Sequence, residues 1–160
     1  MKKIIYKLTY LTALFAFIYS CDDVERVYYN DAAETVLSLS DDNLILNEEN
    51  AANEILTLTW TEPDFGFSAA ALYSVQIDVQ GGDFSNPQII SVGGAFDKTF
   101  TVEELNAKLL SLSMVPNEEG VASFRIKATL SEYQEIYSNT VNISVNPYSS
   151  LLDLSNSLGV

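Results

Sequence analysis

The chain has 160 residues, 22 acidic against 8 basic, for a net charge of −14. That field repels nucleic-acid phosphates and anionic lipid headgroups, so nucleic acid is excluded as a partner and adhesion to a charged bilayer is disfavoured. There is no histidine, and Cys21 is the only cysteine. Imidazole bases, Ser–His pairs, imidazole metal ligands and an internal disulfide are therefore all absent, and nothing in the sequence calls for a cofactor.

Residues 1–20 carry a basic start (Lys2, Lys3, Lys7) and an apolar run from Leu8 to Ile18, followed by Tyr19-Ser20-Cys21. This order reads as a secretory signal cleaved before Cys21, which then carries lipid as the first mature residue. A membrane-spanning helix needs about 20 apolar residues, roughly twice this run, and no basic flank follows it. Ser20 suits a lipid-attachment motif, although Tyr19 is bulkier than its usual small residue. Several acyl chains at about 0.8 kcal/mol per buried CH₂ would anchor the protein stably. Without the signal, 5 basic residues face 22 acidic ones, a net charge of −17. Residues 21–35 form an acidic tether containing Tyr28 and Tyr29, which either dock on the domain or stay exposed.

From Val36 the pattern becomes short strands between turn signals. Residues 36–39 and 44–46 are split by Asp41-Asp42-Asn43. Leu56, Leu58 and Trp60 alternate with threonines until Pro63 to Gly66 break the run. Tyr73, Val75, Ile77 and Val79 give the clearest period-two segment, ended by Gly81-Gly82, a turn that requires positive φ. Residues 88–92 supply the next strand, before Gly93-Gly94. Thr101-Val102-Glu103-Glu104 is a capping box, with Phe100 and Leu105 at staple positions. Val102, Leu105, Leu109 and Leu112 then recur at helical spacing, predicting a helix of two to three turns that crosses between sheets and plugs the sandwich end. Ala122, Phe124, Ile126, Ala128 and Leu130 share one face of a further strand. Tyr137, Asn139, Val141, Ile143 and Val145 are expected to share one face of the last, which stops at Pro147. Strands with one apolar face pack against a second sheet, so the expected class is an all-β sandwich of about seven strands with one short crossover helix. Trp60 followed by Pro63, Tyr73 opening the next strand, Leu105 in the crossover and Phe124-Arg125-Ile126-Lys127-Ala128 resemble a fibronectin type III-like, immunoglobulin-like layout.

The segments LTWTEPDFG (58–66), YSVQID (73–78), FSNPQ (84–88), TVEELNAKLL (101–110) and YSNTVNISVNPY (137–148) resemble, in that order, the amino-terminal domain of SusE-type outer-membrane lipoproteins. The resemblance runs from about Val36 to Tyr148 and sets the domain at 36–148, with a tail at 149–160. It implies an outer-membrane, cell-surface place in a Sus-like system that binds and takes up starch or a related polysaccharide. The implied partners are a transporter and glycan-binding lipoproteins, and Asp22 and Asp23 resemble the surface-export signals of such lipoproteins. Family members usually continue into carbohydrate-binding domains. Here Val160 stands twelve residues beyond Tyr148, so the expectation is a one-domain member or a truncated sequence. The domain itself is expected to act mainly as a spacer or scaffold. The alternative is an immunoglobulin-like adhesion or protein-interaction module without glycan binding.

Sugar sites pair flat aromatic faces with amides and carboxylates. The candidate glycan contacts are Phe65, Phe67, Phe84 and Phe96, each in a loop-like segment near Asp64, Asp83, Asn86 or Asp97. Capping of the sandwich ends is the commoner use of such phenylalanines. Trp60 and Tyr73 are expected in the core. Asp78 and Asp83 flank Gly81-Gly82 without the spacing of a calcium loop, so no metal site is expected. No catalytic constellation is present, and an enzyme is not expected.

Overall fold

The computed structural model describes residues 35–65, 70–131 and 134–149. The signal, Cys21, most of the tether, Phe67 and the tail beyond Ser149 lie outside the described residues. The elements in chain order are β1 (Leu37–Leu39), β2 (Asn43–Ile45), a 3-10 turn (Glu48–Asn50), β3 (Glu54–Trp60), β4 (Leu72–Val79), β5 (Gln88–Gly93), β6 (Asp97–Thr101), α1 (Val102–Ser111), β7 (Gly120–Ser131), β8 (Gln134–Tyr137) and β9 (Val141–Asn146). A three-stranded sheet runs β1-β3-β6, and a larger one runs β2-β9-β7-β4-β5 with β8 also on β7. The fold is the expected all-β sandwich, with nine described strands where the sequence suggested about seven.

The first edge is divided between the sheets. β1 pairs antiparallel with β3, whereas β2 pairs parallel with β9. The Asp41 carboxylate makes the switch, accepting the amides of Asp42 and Asn43 at 2.7 and 3.1 Å. That is the local turn an Asx side chain stabilises.

Alternation fills the core as expected. Leu56, Leu58 and Trp60 from β3, Tyr73, Val75 and Ile77 from β4, and Phe124, Ile126 and Ala128 from β7 are buried between the sheets. Each large side chain so buried stabilises the fold by about 1.5–3 kcal/mol. The helix joins β6 to β7 and buries Val102, Leu105 and Leu109 at the sandwich end. Thr101 Oγ1 accepts the Glu104 amide at 3.2 Å, as an N-cap does. The reciprocal half of the capping box is diverted, because the Glu104 carboxylate takes the Lys98 ammonium at 2.9 Å instead.

The last strand departs from expectation. Tyr137 stands opposite Lys127, while Val141 stands opposite Phe124. Three steps along β7 thus face four along its partner, and the extra residue reverses the side-chain alternation. Val141, Ile143 and Val145 face the core as the pattern suggested, but Tyr137 turns to the outer face. Ser138 holds the irregularity, donating its amide to the Ile126 carbonyl and accepting the Ile126 amide on Oγ. Asn139 leaves the strand altogether. Its side-chain amide accepts the Leu37 N–H at 2.8 Å and donates to the Leu37 carbonyl at 3.2 Å, joining the two sheets.

Candidate functional site

The outer face of the large sheet carries the densest group of functional side chains. It starts at the β4–β5 turn, where Gly81 adopts φ +78° and Gly82 donates to the Val79 carbonyl. Gly82 is required for a different reason than its neighbour: a Cβ there would sit 2.4 Å from the Asp78 carboxylate. That carboxylate accepts the amides of Val79 at 2.8 Å and Phe84 at 2.9 Å. So gripped, Phe84 is held at φ +57°, a conformation unfavourable for a side chain with Cβ. Its ring then folds back over the sheet and lies 4.1 Å from the Arg125 guanidinium.

Arg125 also stacks on Tyr137 at 4.2 Å and donates Nε to Gln76 Oε1 at 2.7 Å. The Tyr137 hydroxyl donates to Glu135 at 2.8 Å, and Glu135 pairs with Lys127. The Lys127 ammonium, followed by the Tyr137 hydroxyl, holds the Glu135 carboxyl below its ordinary pKa. Burial, followed by the Glu135 hydrogen bond, pushes the Tyr137 phenol up. Under this cover Gln76 and Asp78 are only 5% and 8% exposed, although they point away from the core.

A second aromatic group lies near the start of β4. Tyr73 contacts Trp60 at 5.9 Å and Phe96 at 5.3 Å between ring centroids, both tilted. Burial, then the Glu62 charge, raises the Tyr73 pKa. Trp60 Nε1 is buried without a hydrogen-bond partner among the described residues.

The candidate glycan contacts are dispersed. Phe65 is 2% exposed and belongs to the core. Phe67 lies outside the described residues. Phe84 is anchored at Asp78 and Phe96 rests on Tyr73, five strand residues away, a span of about 17 Å. They also serve different faces of β4, so they do not form one platform. Sequence reasoning missed Arg125, Gln76 and Tyr137. The alternation of β7 already puts Arg125 and Lys127 together on its polar face, but nothing local shows that two rings converge there.

Openings near this face are shallow. One of about 360 Å³ lies between the β4–β5 loop and the end of α1, lined by Asp78, Asp83, Ser85, Asn86 and Ser113 among others. A separate opening of about 240 Å³ lies elsewhere, between the 3-10 turn and the start of α1, over Asn106 and Tyr148. Among the described residues no three acidic, histidine or cysteine side chains gather as a metal site. The arrangement offers a fixed cation–aromatic stack at the surface.

The family model described as SusE outer membrane protein matches residues 22–127. No curated protein matches the chain. Among solved structures, the crystal structure of the periplasmic chaperone SfaE is similar at 15% identity and a TM-score of 0.33. That alignment covers 77% of this chain and 62% of the other, so it spans less than two thirds of the chaperone.

Proposed function

The chain belongs to the SusE outer membrane protein family, and from that premise we propose that it is a surface lipoprotein, anchored through Cys21, which serves a Sus-like glycan-uptake system mainly as a spacer or scaffold. Its outer-membrane place follows from the family, and no described helix is long and apolar enough to cross a membrane. Its partners in this reading are a transporter and glycan-binding lipoproteins, handling starch or a related polysaccharide, and its role is non-catalytic.

The observation that carries the scaffold role is the engagement of the aromatic side chains. Phe65, Trp60 and Tyr73 are buried, Phe84 presents a ring face to Arg125, and Phe96, 42% exposed, rests on Tyr73 with no second open ring beside it among the described residues. A sugar platform needs open ring faces side by side. Electrophoresis of the chain in gels containing starch and other neutral glycans tests this. Unchanged mobility is expected. Retardation that is lost in Phe84→Ala or Phe96→Ala would transfer glycan recognition to this domain. For the anchor, labelled fatty acid is expected to enter the wild-type protein and not Cys21→Ala.

A further inference from the structure

We infer that the domain is a mechanical link, whose first and last strands resist in shear when the chain is pulled from both sides. The geometry is independent of the glycan-system reading, whereas its use against a membrane rests on anchorage through Cys21.

Tension reaches a folded domain where its chain enters and leaves, so the placement of the two terminal segments decides which hydrogen bonds are strained first. Here those segments lie side by side and point the same way. Leu37 stands at Asn139, Asn43 at Ser144 and Ile45 at Asn146, so residues 37–45 run parallel to residues 139–146. The seven steps from Asn139 to Asn146 set entry and exit about 23 Å apart, at opposite ends of one seam. A pull between them acts along the strands and across the bonds that join them, which must then yield together. Within the seam the Ser144 N–H donates to the Asp42 carbonyl at 2.9 Å, and the Leu46 N–H to the Asn146 carbonyl at 3.0 Å. The same pull strains β1 along β3, where the Ser40 N–H donates to the Thr57 carbonyl at 3.0 Å. The β4–β5 hairpin behaves otherwise. Tyr73 stands opposite Gly93 at its open end, so drawing that end apart breaks its bonds one at a time.

Both ends of the seam are locked by a side-chain amide. At the entry, Asn139 accepts the Leu37 N–H at 2.8 Å and donates to the Leu37 carbonyl at 3.2 Å. One residue earlier, Thr61 Oγ1 accepts the Val36 N–H at 2.9 Å, and the Thr61 N–H donates to the Val36 carbonyl at 3.2 Å. At the exit, Asn106 accepts the Tyr148 N–H at 2.9 Å and donates to the Tyr148 carbonyl at 3.0 Å. The Asn117 N–H holds the neighbouring Pro147 carbonyl at 2.7 Å. A two-point clasp opposes sliding as well as separation. Both clasps fall beside the points where the pull arrives, and Asn106 grips from within the sandwich end, 1% exposed. A spacer drawn away from its anchor needs this arrangement to stay folded.

Single-molecule extension tests the path. The chain, carrying Cys21→Ala, is pulled through marker domains fused to its two ends. In a second experiment it is pulled through the cysteines of Leu72→Cys and Gly94→Cys, which open the β4–β5 hairpin. Cooperative end-to-end unfolding is expected at several times the hairpin force. Asn139→Ala should speed end-to-end unfolding at constant force about tenfold, the scale of two lost hydrogen bonds, and leave hairpin opening unchanged. Asn139→Asp, which keeps only the acceptor, should fall between. In denaturant without force, the acceleration should be at most about threefold, since only part of a lost contact reaches the unfolding rate. Circular dichroism shows whether each variant is folded. End-to-end unfolding at the hairpin force overturns the inference, and so does a forced rate that Asn139→Ala leaves unchanged. Equal acceleration with and without force overturns the lock, making Asn139 an ordinary stabilising contact. None of these readings involves lipid, so a failure of fatty-acid labelling at Cys21 would remove the anchor and leave the shear geometry standing.

Discussion

The two faces of the large sheet are closed by different means. The inner face meets the second sheet and α1, and its Val75, Ile77, Phe124, Ile126 and Ile143 are at most 1% exposed. The outer face is closed by one loop and one strand end, through Asp78, Phe84, Arg125, Gln76 and Tyr137. Apolar packing is non-directional and dense, so removing one large side chain leaves a void that many neighbours share. The outer cover depends on a few directed contacts, each separable from the rest. The inner face should therefore set global stability, and the outer face should set the position of the β4–β5 loop.

The largest expected effect tests the inner face. Phe124→Ala should lower unfolding stability by about 3–5 kcal/mol, read from the denaturant midpoint. A loss no greater than that of an outer-face substitution would break the comparison.

Next comes the turn on which the outer cover hangs. Gly82→Ala drives a methyl against the Asp78 carboxylate and should cost about 1–3 kcal/mol by overpacking. In an Asp78→Ala background the same substitution should cost much less, since its obstacle is gone. A double-mutant cycle measures that coupling, and additive effects would show that the two residues do not meet.

Arg125→Ala should cost less again, about 1 kcal/mol, the scale of exposed cation–aromatic contacts. It should also loosen Phe84, raising amide exchange in the β4–β5 loop while β7 stays protected. Exchange that rises equally through β7 would mean that the stack supports the core.

The smallest effect compares the faces by titration. Tyr73 and Tyr137 have phenol pKa values raised above the ordinary 10.0, each chiefly by burial. A raised folded-state pKa means that the fold favours the neutral phenol. That contribution is complete below the unfolded value and is lost as pH climbs through the folded one. Denaturant midpoints should therefore fall as pH rises above 10.0. Tyr137→Phe should remove part of the fall, and an unaltered slope would take the outer-face phenol out of the effect.

Several local rules could be read from residues alone. The alternation in residues 73–77 and 122–128 located the two central strands because burial on one face imposes period two. Thr101 announced the start of α1 because its hydroxyl has only a nearby amide to satisfy. Gly81 marked a positive-φ turn. β6 was not recognised as a strand, since Asp97, Lys98 and Thr99 carry no apolar alternation and only Phe100 is buried there. Of the candidate site, Phe84 was legible as a loop aromatic, but its place over Arg125 was not.

What the sequence by itself determined is the sequence of elements: a charge that excludes polyanions, strands of one-sided apolarity and one capped helix. Each is recorded within a few residues, where periodicity and capping act. Only the tertiary structure decided which strands lie at edges among the described residues. It also decided that one extra residue near Ser138 turns Tyr137 outward, and that two asparagines clasp distant backbone. Asn139 holds Leu37 across 102 positions, and Asn106 holds both the N–H and the carbonyl of Tyr148 across 42. The physical reason is that a buried backbone group needs a partner but does not specify one. Which side chain meets it is settled when the sheets close, over separations that no local pattern spans.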